Sequence, residues 1–326
     1  MRRRLTHAGA TALRRVPGAT VALFLTDRCP VECAHCSVGS VARGPTITDR
    51  PLFEGIVGGL ADLPGLRAVA ITGGEPFAER RGLEYAVRRL GDAGKAVVVF
   101  TSGSWARRAV PAWVRAVLAS VGTVYLSTDV FHAERPGMGG GTPARAAEAV
   151  LAAGCHLVLQ VLAGPDGGPP AAGFTHPAAE VSVVPRLPAG RGARHFPAGP
   201  GRPSADFGPC ALLDSPTVRY DGVVTACCNE SVITGSGPDA LRRRVTGAGV
   251  GAALAAFRAD PVLRLMRTAG PVGLAGVVPD TARSVCGPCW AAARRAAADP
   301  AARRVLARRA AYAAGLTSGA AEGGAE

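Results

Sequence analysis

Short apolar runs rich in valine, isoleucine and leucine alternate with longer helical patterns from residue 20 to about residue 185. This alternation predicts βα units and a parallel sheet. Six strands are predicted, at residues 20–26, 66–72, 95–101, 123–128, 157–162 and 180–184. Apolar residues recur at i, i+3, i+4 and i+7 and predict helices between these strands, at residues 53–60, 83–90, 114–121 and 142–154. The fifth connection, residues 163–179, contains no helical pattern.

The remaining chain divides where its composition changes. Glycine, proline and arginine dominate one segment and mark a connection, whereas Asp221-Gly222 lies between two short apolar runs and predicts a hairpin. The last residues are small and polar and predict a disordered tail. The predicted organisation is a basic extension at 1–19, a βα domain at 20–185, a connection at 186–209, a second cysteine-bearing region at 210–299, a basic helix at 300–316 and the tail at 317–326.

Composition narrows the class of protein. A chain of 326 residues is long enough to bury a core, and no run of eighteen apolar residues predicts a membrane span. The net charge of +13 comes almost entirely from arginine. A basic surface attracts acidic partners, but we do not expect nucleic acid to be the partner of this protein. The N-terminal apolar run at 21–25 is too short for a secretion signal, and we expect a cytoplasmic protein. In such a reducing compartment, nine cysteines favour metal ligands over disulfides.

Three cysteines lie on the loop that follows the first predicted strand. Cys29, Cys33 and Cys36 form a C-x3-C-x2-C motif within "CPVECAHC". Three thiolates suit three corners of a [4Fe–4S] cluster and leave its fourth iron without a protein ligand. The alternatives are a zinc site, which normally has four protein ligands when it is structural, and three core cysteines.

A glycine-rich turn follows the second predicted strand. In "ITGGEPF", Gly73 and Gly74 allow the backbone to approach a ligand closely, and Glu75 offers an acceptor for an ammonium group. Ligands bind at the carboxyl ends of parallel strands, so this turn and the cysteine loop are expected to face one cavity.

The combination of "CPVECAHC" and "GGEP" resembles the radical S-adenosylmethionine (radical SAM) superfamily over residues 20 to about 185. The resemblance implies an α/β fold with a partial (β/α)6 TIM-type barrel. It also implies that S-adenosylmethionine binds the open iron through its amino and carboxylate groups. One-electron reduction would then yield methionine and a 5′-deoxyadenosyl radical that abstracts hydrogen from a substrate.

The resemblance also implies contacts to S-adenosylmethionine. Gly73, Gly74 and Glu75 would hold the methionine amino group. His35, which precedes the third cysteine, would lie near the adenine or simply pack the loop. The other candidates end the third and fourth strands: Ser102 in a "TSG" turn that commonly reads Thr-Asn-Gly, and Ser127 and Asp129 near the ribose or carboxylate.

A second set of cysteines resembles the first half of the SPASM or twitch appendage, which holds auxiliary [4Fe–4S] clusters. Eleven residues separate Cys210 from Gly222, four separate Gly222 from Cys227, and "CGPC" follows later. The remaining SPASM cysteines are absent, so one auxiliary cluster is expected in a small C-terminal iron–sulfur domain. Its expected ligands are Cys210, Cys227, Cys286 and Cys289.

Other interpretations of these cysteines remain open. The same four thiolates could bind zinc. Cys228 competes with Cys227 as a ligand, and it is otherwise a candidate hydrogen donor to a product radical or a buried neighbour. Cys155 is expected to be a small core residue.

The resemblance implies a radical SAM enzyme that acts on a peptide or a small natural product by crosslinking, epimerisation or dehydrogenation. An external one-electron reductant such as flavodoxin or ferredoxin is expected. Only about twenty residues precede the barrel, so a separate peptide-recognition protein is a further candidate partner. The alternatives are an RNA-modifying radical SAM enzyme and a zinc-stabilised binding protein without catalysis.

Overall fold

The structure, a computed structural model, describes residues 2–164 and 174–322, with side chains described up to Ala313. The described residues contain a nine-stranded sheet and a two-stranded ribbon. The strands are β1 Thr20–Phe24, β2 Ala68–Thr72, β3 Ala96–Thr101, β4 Thr123–Ser127, β5 His156–Leu162, β6 Glu180–Val184, β7 Arg202–Pro203, β8 Thr217–Arg219, β9 Val223–Thr225, β10 Arg242–Arg244 and β11 Thr281–Ala282.

Helices connect and cover these strands. They are α1 His7–Arg14, α2 Arg50–Asp62, α3 Arg80–Asp92, α4 Ala112–Leu118, α5 Val130–Ala133, α6 Thr142–Ala152, α7 Glu230–Thr234, α8 Val250–Ala259, α9 Pro261–Thr268, α10 Cys286–Ala298 and α11 Pro300–Glu322. Among the helices in this part of the chain, none has the length and apolar character that crossing a bilayer requires.

The six predicted strands of the βα domain form one parallel array. Strands β1 to β6 lie side by side in chain order, and every neighbouring pair is parallel. On its other side β1 pairs with β8 rather than with β6, so the array stays open in the described residues. The predicted partial (β/α)6 barrel is therefore confirmed.

The helices of the barrel bury the faces that their periodicity predicted. In α2, Phe53, Ile56, Val57 and Leu60 are fully buried, and α3 buries the matching positions from Leu83 to Leu90. Burying one such side chain contributes roughly 1.5–3 kcal/mol. The buried helix faces hold the strands in position, and the loops that follow the strands are positioned with them.

The second cysteine-bearing region continues the same sheet. Strands β8 and β9 form the hairpin predicted around Asp221-Gly222, and Gly222 has the positive φ of 85° that such a turn needs. Because β8 pairs with β1, the apolar core runs without a break from the barrel helices to α8, α9 and α10. This pairing places the second set of cysteines on the same scaffold as the first.

The C-terminal helix is longer than expected. Helix α11 continues to Glu322 and so includes the first six residues of the tail predicted at 317–326. Residues 323–326 lie outside the described residues, as does the centre of the fifth connection, residues 165–173.

The basic N-terminal extension crosses the amino-terminal end of the barrel. The guanidinium of Arg2 donates hydrogen bonds to the carbonyl oxygens of Leu118 (3.1 Å) and Ala153. The backbone of Leu5 exchanges two hydrogen bonds with the Thr123 hydroxyl, at 2.9 and 2.8 Å. The Leu5 side chain packs against the inward-facing cluster of Val98, Tyr125 and Val158. The extension therefore closes this end of the barrel.

Replacing Gly122 by alanine is expected to displace this extension, because a Cβ at that position would overlap the carbonyl oxygen of Arg3. Loss of the two Leu5–Thr123 hydrogen bonds costs about 1 kcal/mol each. We expect a lower melting temperature and faster tryptic release of the first residues, measured by calorimetry and mass spectrometry. Gly91→Ala is the matched control, since open space surrounds Gly91 in α3. Wild-type stability and digestion of Gly122→Ala would refute the displacement.

Candidate cluster and cofactor sites

The loop between β1 and α2 carries the first three cysteines. The side chains of Cys29 and Cys33 are buried, and Cys36 is half-buried. A turn brings the backbone N–H of Cys36 to the carbonyl oxygen of Cys33 at 3.2 Å. Glu32 is the one non-glycine residue with positive φ (51°) in the described chain, and its carboxylate accepts from the backbone N–H of Ala42 at 2.7 Å. This bond helps to hold a strained backbone conformation within the motif.

Arginine side chains from three separate segments hold the cysteine loop. Arg135 donates to the carbonyl oxygen of Val31 at 2.7 Å, and Arg107 donates to that of Pro30 at 3.4 Å. Arg191 donates to the carbonyl oxygen of Cys33 at 2.9 Å. These guanidinium groups place positive charge around the loop. The sequence does not reveal this role, because the arginines lie far from the motif and among many others.

The turn at residues 73–75 lies directly on the cysteine loop. The backbone N–H of Gly74 donates to the carbonyl oxygen of Thr26 at 2.6 Å, and that of Glu75 donates to the carbonyl oxygen of Arg28 at 2.7 Å. A Cβ at Gly74 would overlap the Arg28 carbonyl, and one at Gly73 would lie 2.6 Å from the Thr26 oxygen. The close approach that the two glycines allow is therefore an approach to the backbone of the cysteine loop.

The carboxylate of Glu75 is completely buried and fully hydrogen-bonded. One oxygen accepts from the Phe77 N–H (3.1 Å) and the Thr101 hydroxyl (2.8 Å). The other accepts from the N–H (2.8 Å) and the hydroxyl (2.5 Å) of Ser102. These four bonds occupy its four acceptor positions. Burial raises the pKa of Glu75, although the hydrogen bonds from Ser102, Thr101 and Phe77 lower it.

Glu75 and Ser102 have different partners in the structure from those that the sequence predicts. Both were expected to contact S-adenosylmethionine, and the structure places them in contact with each other. Their bond ties the turn after β2 to the turn after β3. In this arrangement an ammonium group would reach Glu75 only by replacing one of its four donors.

His35 and Asp129 lie together with a third residue, His132. The metal-ligating atoms of the three side chains all lie within 4.8 Å of one another. Asp129 caps the N-terminus of α5, where one of its oxygens accepts from the His132 N–H at 3.2 Å. The other oxygen lies 2.9 Å from Nδ1 of His132 and 3.7 Å from Nε2 of His35. Sequence reasoning missed His132, whose only signal is its position three residues after Asp129.

The pKa values of the two histidines are shifted in opposite directions. Burial lowers the pKa of His35 to about 4, since its attraction to Asp129 is weaker than its loss of solvent. Burial also lowers the pKa of His132, but hydrogen bonds to Asp129 and to the Cys33 side chain outweigh it and raise the value to about 10. The pKa of Asp129 is lowered despite its burial, because His132 donates to it.

One ring nitrogen of His35 has no hydrogen-bond partner in the structure. Its Nδ1 atom is buried and has no hydrogen-bond partner, while its ring lies 4.8 Å from that of Phe131. Ser127 lies two residues before Asp129 and lines a cavity of about 120 Å³ together with Thr128 and His132. The candidate cofactor residues at the end of β4 and on the cysteine loop therefore share one edge of the sheet.

The second set of cysteines comes together in the C-terminal region. Cys210 precedes a short turn, Cys227 follows β9, and Cys286 and Cys289 lie in the first turn of α10. Burial raises the pKa of the Cys289 thiol well above its ordinary value, and Cys227, Cys210 and Cys286 raise it further through their charges. Because such charges act between neighbours, the four expected ligands lie near one another.

The two remaining cysteines occupy different surroundings. Cys228 lies beside the second set, but its thiol points to the carbonyl oxygen of Leu212 at 3.8 Å, and burial raises its pKa to about 11. Cys155 is buried and donates to the carbonyl oxygens of Leu118 (3.2 Å) and Val121 (3.3 Å). The prediction that Cys155 is a core residue is confirmed.

Neither a protein-family profile nor a curated protein matches this sequence. Among solved structures, Streptococcus suis SuiB bound to precursor peptide SuiA is similar at 11% identity with a TM-score of 0.50, covering 77% of this chain and 67% of SuiB. BtrN in complex with AdoMet and 2-DOIA is similar at 12% identity (TM-score 0.46; 78% of this chain, 89% of BtrN). Native anSMEcpe with bound AdoMet and Cp18Cys peptide is similar at 17% identity (TM-score 0.37; 46% of this chain).

The similarity to SuiB is one of fold, and it agrees with the partial barrel that the resemblance implied. The identities are low, so the similarity concerns the fold. The chain spans 44% of the length of anSMEcpe in its complex with Cp18Cys peptide.

Replacing Gly74 by alanine is expected to push the turn at 73–75 away from the cysteine loop, because the new Cβ overlaps the Arg28 carbonyl. Cys29 and Cys33 then become accessible, and we expect at least a tenfold faster reaction with iodoacetamide, since about 1.4 kcal/mol gives a factor of ten. Peptide mass spectrometry measures the rate at each cysteine.

Cys155 serves as an internal control within the same samples, because it is buried at the opposite end of the barrel. Gly58→Ala is the control variant, since no heavy atom lies within 4 Å of a Cβ at Gly58. Equal labelling rates of Cys29 and Cys33 in Gly74→Ala and the wild type would show that the turn does not hold the loop.

Proposed function

We propose that this chain is a radical SAM enzyme that reductively cleaves S-adenosylmethionine and abstracts hydrogen from a peptide or small natural product. One observation carries the proposal: the three-cysteine loop and the turn at 73–75 lie against each other at the carboxyl ends of β1 and β2. Ligands bind at this edge of parallel sheets.

The residues at this edge fit an iron–sulfur cluster and S-adenosylmethionine. Three thiolates on one loop are a donor set that iron–sulfur clusters use. Burial and the nearby Glu75 raise the pKa of Cys29 to about 12, so binding of iron would release a proton from this thiol. The unpartnered Nδ1 of His35 and its ring fit a flat, hydrogen-bonding group such as adenine.

When bound, the cluster and S-adenosylmethionine supply one-electron chemistry that generates a 5′-deoxyadenosyl radical, and the protein positions it. Arg107, Arg135 and Arg191 hold the loop that would carry the cluster. At the other end of the barrel, Leu5 packs on Tyr125 and excludes water. A closed apolar interior protects a reactive radical from solvent.

We propose that Cys210, Cys227, Cys286 and Cys289 hold one auxiliary [4Fe–4S] cluster. Four thiolates around one zinc ion, each about 2.3 Å from the metal, would lie roughly 3.8 Å from one another. The thiols of Cys210, Cys227 and Cys289 are buried and that of Cys286 is half-buried, and four cysteine thiolates are the usual ligands of a [4Fe–4S] cluster. Zinc on the same four thiolates is the alternative.

Charge supports an acidic substrate or an acidic leader peptide, because the chain carries a net charge of +13. SuiB is described with a precursor peptide, and BtrN with the small molecule 2-DOIA, so both substrate classes occur on this fold. In this proposal the enzyme acts in the cytoplasm with a flavodoxin or ferredoxin as its reductant. A separate recognition protein would present a peptide substrate.

Anaerobic reconstitution followed by reduction with dithionite tests the proposal. We expect about eight irons per wild-type chain, since each cubane holds four, and formation of 5′-deoxyadenosine from S-adenosylmethionine. Cys33→Ala should retain about four irons and form no 5′-deoxyadenosine, because it lacks a ligand of the first cluster. Iron analysis and liquid chromatography measure both results.

Cys289→Ala separates the two sites. It should retain about four irons and still cleave S-adenosylmethionine, because only the auxiliary cluster is lost. Cys228→Ala is the matched control and should bind as much iron as the wild type, since its thiol points to the Leu212 carbonyl. A fully loaded wild-type protein that forms no 5′-deoxyadenosine would refute the proposed function.

A further inference from the structure

We propose that the outer surface of the cysteine loop is the docking site for a flavodoxin, an acidic protein that delivers one electron. This surface, which we call the Val41 patch, consists of Arg28, Pro30, Val41, Ala42 and Arg43, all of which are exposed. The inference deepens the proposed function and rests on it, because the electron must reach a cluster that the loop holds.

The Val41 patch lies directly over the first cysteine of the motif. The backbone N–H of Cys29 donates to the carbonyl oxygen of Val41 at 2.9 Å, and Arg28 and Val41 form a parallel β-bridge. Arg28 and Pro30 flank Cys29 in the chain and are exposed, whereas Cys29 is 8% exposed. A single hydrogen bond therefore separates a surface residue from a candidate cluster ligand. Electron transfer between proteins requires such a close approach.

Guanidinium groups give the Val41 patch a positive charge. Arg28 and Arg43 are exposed, and the Arg28 side chain is held by a hydrogen bond to the carbonyl oxygen of Gly44 at 3.2 Å. Arg107 lies at the border, since its guanidinium donates to the Pro30 carbonyl oxygen at 3.4 Å. Within the described part of the chain, none of these three arginines forms an ion pair.

The carboxylates next to the patch are engaged within the chain. Glu32 is half-buried, and its carboxylate accepts from the Ala42 N–H at 2.7 Å. Asp27 forms an ion pair at 2.8 Å with the buried Arg219, which also lies 3.3 Å from Asp221. The exposed guanidinium groups are therefore the charges that the patch presents to a partner, and an acidic protein complements them.

An apolar side chain lies among these charges. Val41 is 41% exposed, although valine is more often buried. Protein interfaces combine an apolar centre with a polar rim, and arginine is enriched in them. Electron-transfer partners bury little surface when they meet, so a patch of this size can serve them.

Docking at the patch transfers one electron and no proton. The flavin hydroquinone anion of the flavodoxin becomes the neutral semiquinone, and its electron reduces the first cluster from [4Fe–4S]2+ to [4Fe–4S]1+. The arginines speed the encounter by attracting the acidic partner, and salt weakens this attraction by screening the charges.

Two assays on full-length reconstituted protein test the docking surface. Biolayer interferometry measures binding of oxidised flavodoxin, and chromatography measures 5′-deoxyadenosine formed with either reduced flavodoxin or dithionite. Arg43→Glu should weaken flavodoxin binding and slow flavodoxin-supported cleavage about tenfold at low salt, because steering of the partner is lost. Val41→Ser should have a smaller effect in the same direction. Cleavage with dithionite should be unchanged in both variants, since dithionite needs no docking site.

Arg88→Glu is the matched control. It makes the same change in net charge at an exposed position near the C-terminal end of α3, at the opposite end of the barrel. Flavodoxin binding and flavodoxin-supported cleavage should equal those of the wild type.

A second measurement uses the wild type alone and does not depend on the folding of a variant. Phenylglyoxal modifies accessible arginines, and peptide mass spectrometry gives the rate at each position. Bound flavodoxin should slow the modification of Arg28 and Arg43 and leave that of Arg88 unchanged.

The docking surface is overturned by unchanged flavodoxin binding in Arg43→Glu, by an equal loss of binding in Arg88→Glu, or by unprotected Arg28 and Arg43 in the wild type. If dithionite still supports cleavage of S-adenosylmethionine in these cases, the proposed function stands. A fully loaded wild type that forms no 5′-deoxyadenosine with dithionite overturns the proposed function, while flavodoxin binding and arginine protection still report on the surface.

Discussion

Two backbone hydrogen bonds hold the turn after β2 on the loop after β1, and the candidate site depends on them. The N–H groups of Gly74 and Glu75 reach the carbonyl oxygens of Thr26 and Arg28 at 2.6 and 2.7 Å. A side chain at Gly74 would separate the two segments. From this contact, the Glu75 carboxylate extends the connection to Ser102 after β3, so three consecutive strand ends are linked around the cysteines.

The same edge of the sheet collects donors and positive charge around the cysteine loop. Arg107, Arg135 and Arg191 donate hydrogen bonds to its carbonyl oxygens. The opposite end of the barrel is closed by apolar packing around Leu5. One end is therefore suited to an anionic cluster and a charged cofactor, and the other keeps water away from the interior.

Local sequence patterns predicted much of this arrangement. The six strands, the helices between them and the Asp221-Gly222 hairpin follow from periodicity and turn chemistry, and the cysteine and glycine motifs indicated a shared edge. Long-range contacts have no such local pattern. The pairing of β8 with β1 and the path of the N-terminal extension depend on residues more than a hundred positions apart. The hydrogen bonds of Glu75 also could not be predicted from the local sequence, because the motif identifies the carboxylate but not its four donors.

The central claim is that the cysteine loop binds a cluster whose open iron takes S-adenosylmethionine. Electron–nuclear double resonance on the reduced, reconstituted protein tests it directly, with S-adenosylmethionine that carries 15N in its methionine amino group. This account predicts a strong 15N coupling that is lost when the amino nitrogen is 14N. A reduced cluster with no nitrogen coupling from the labelled cofactor would contradict it.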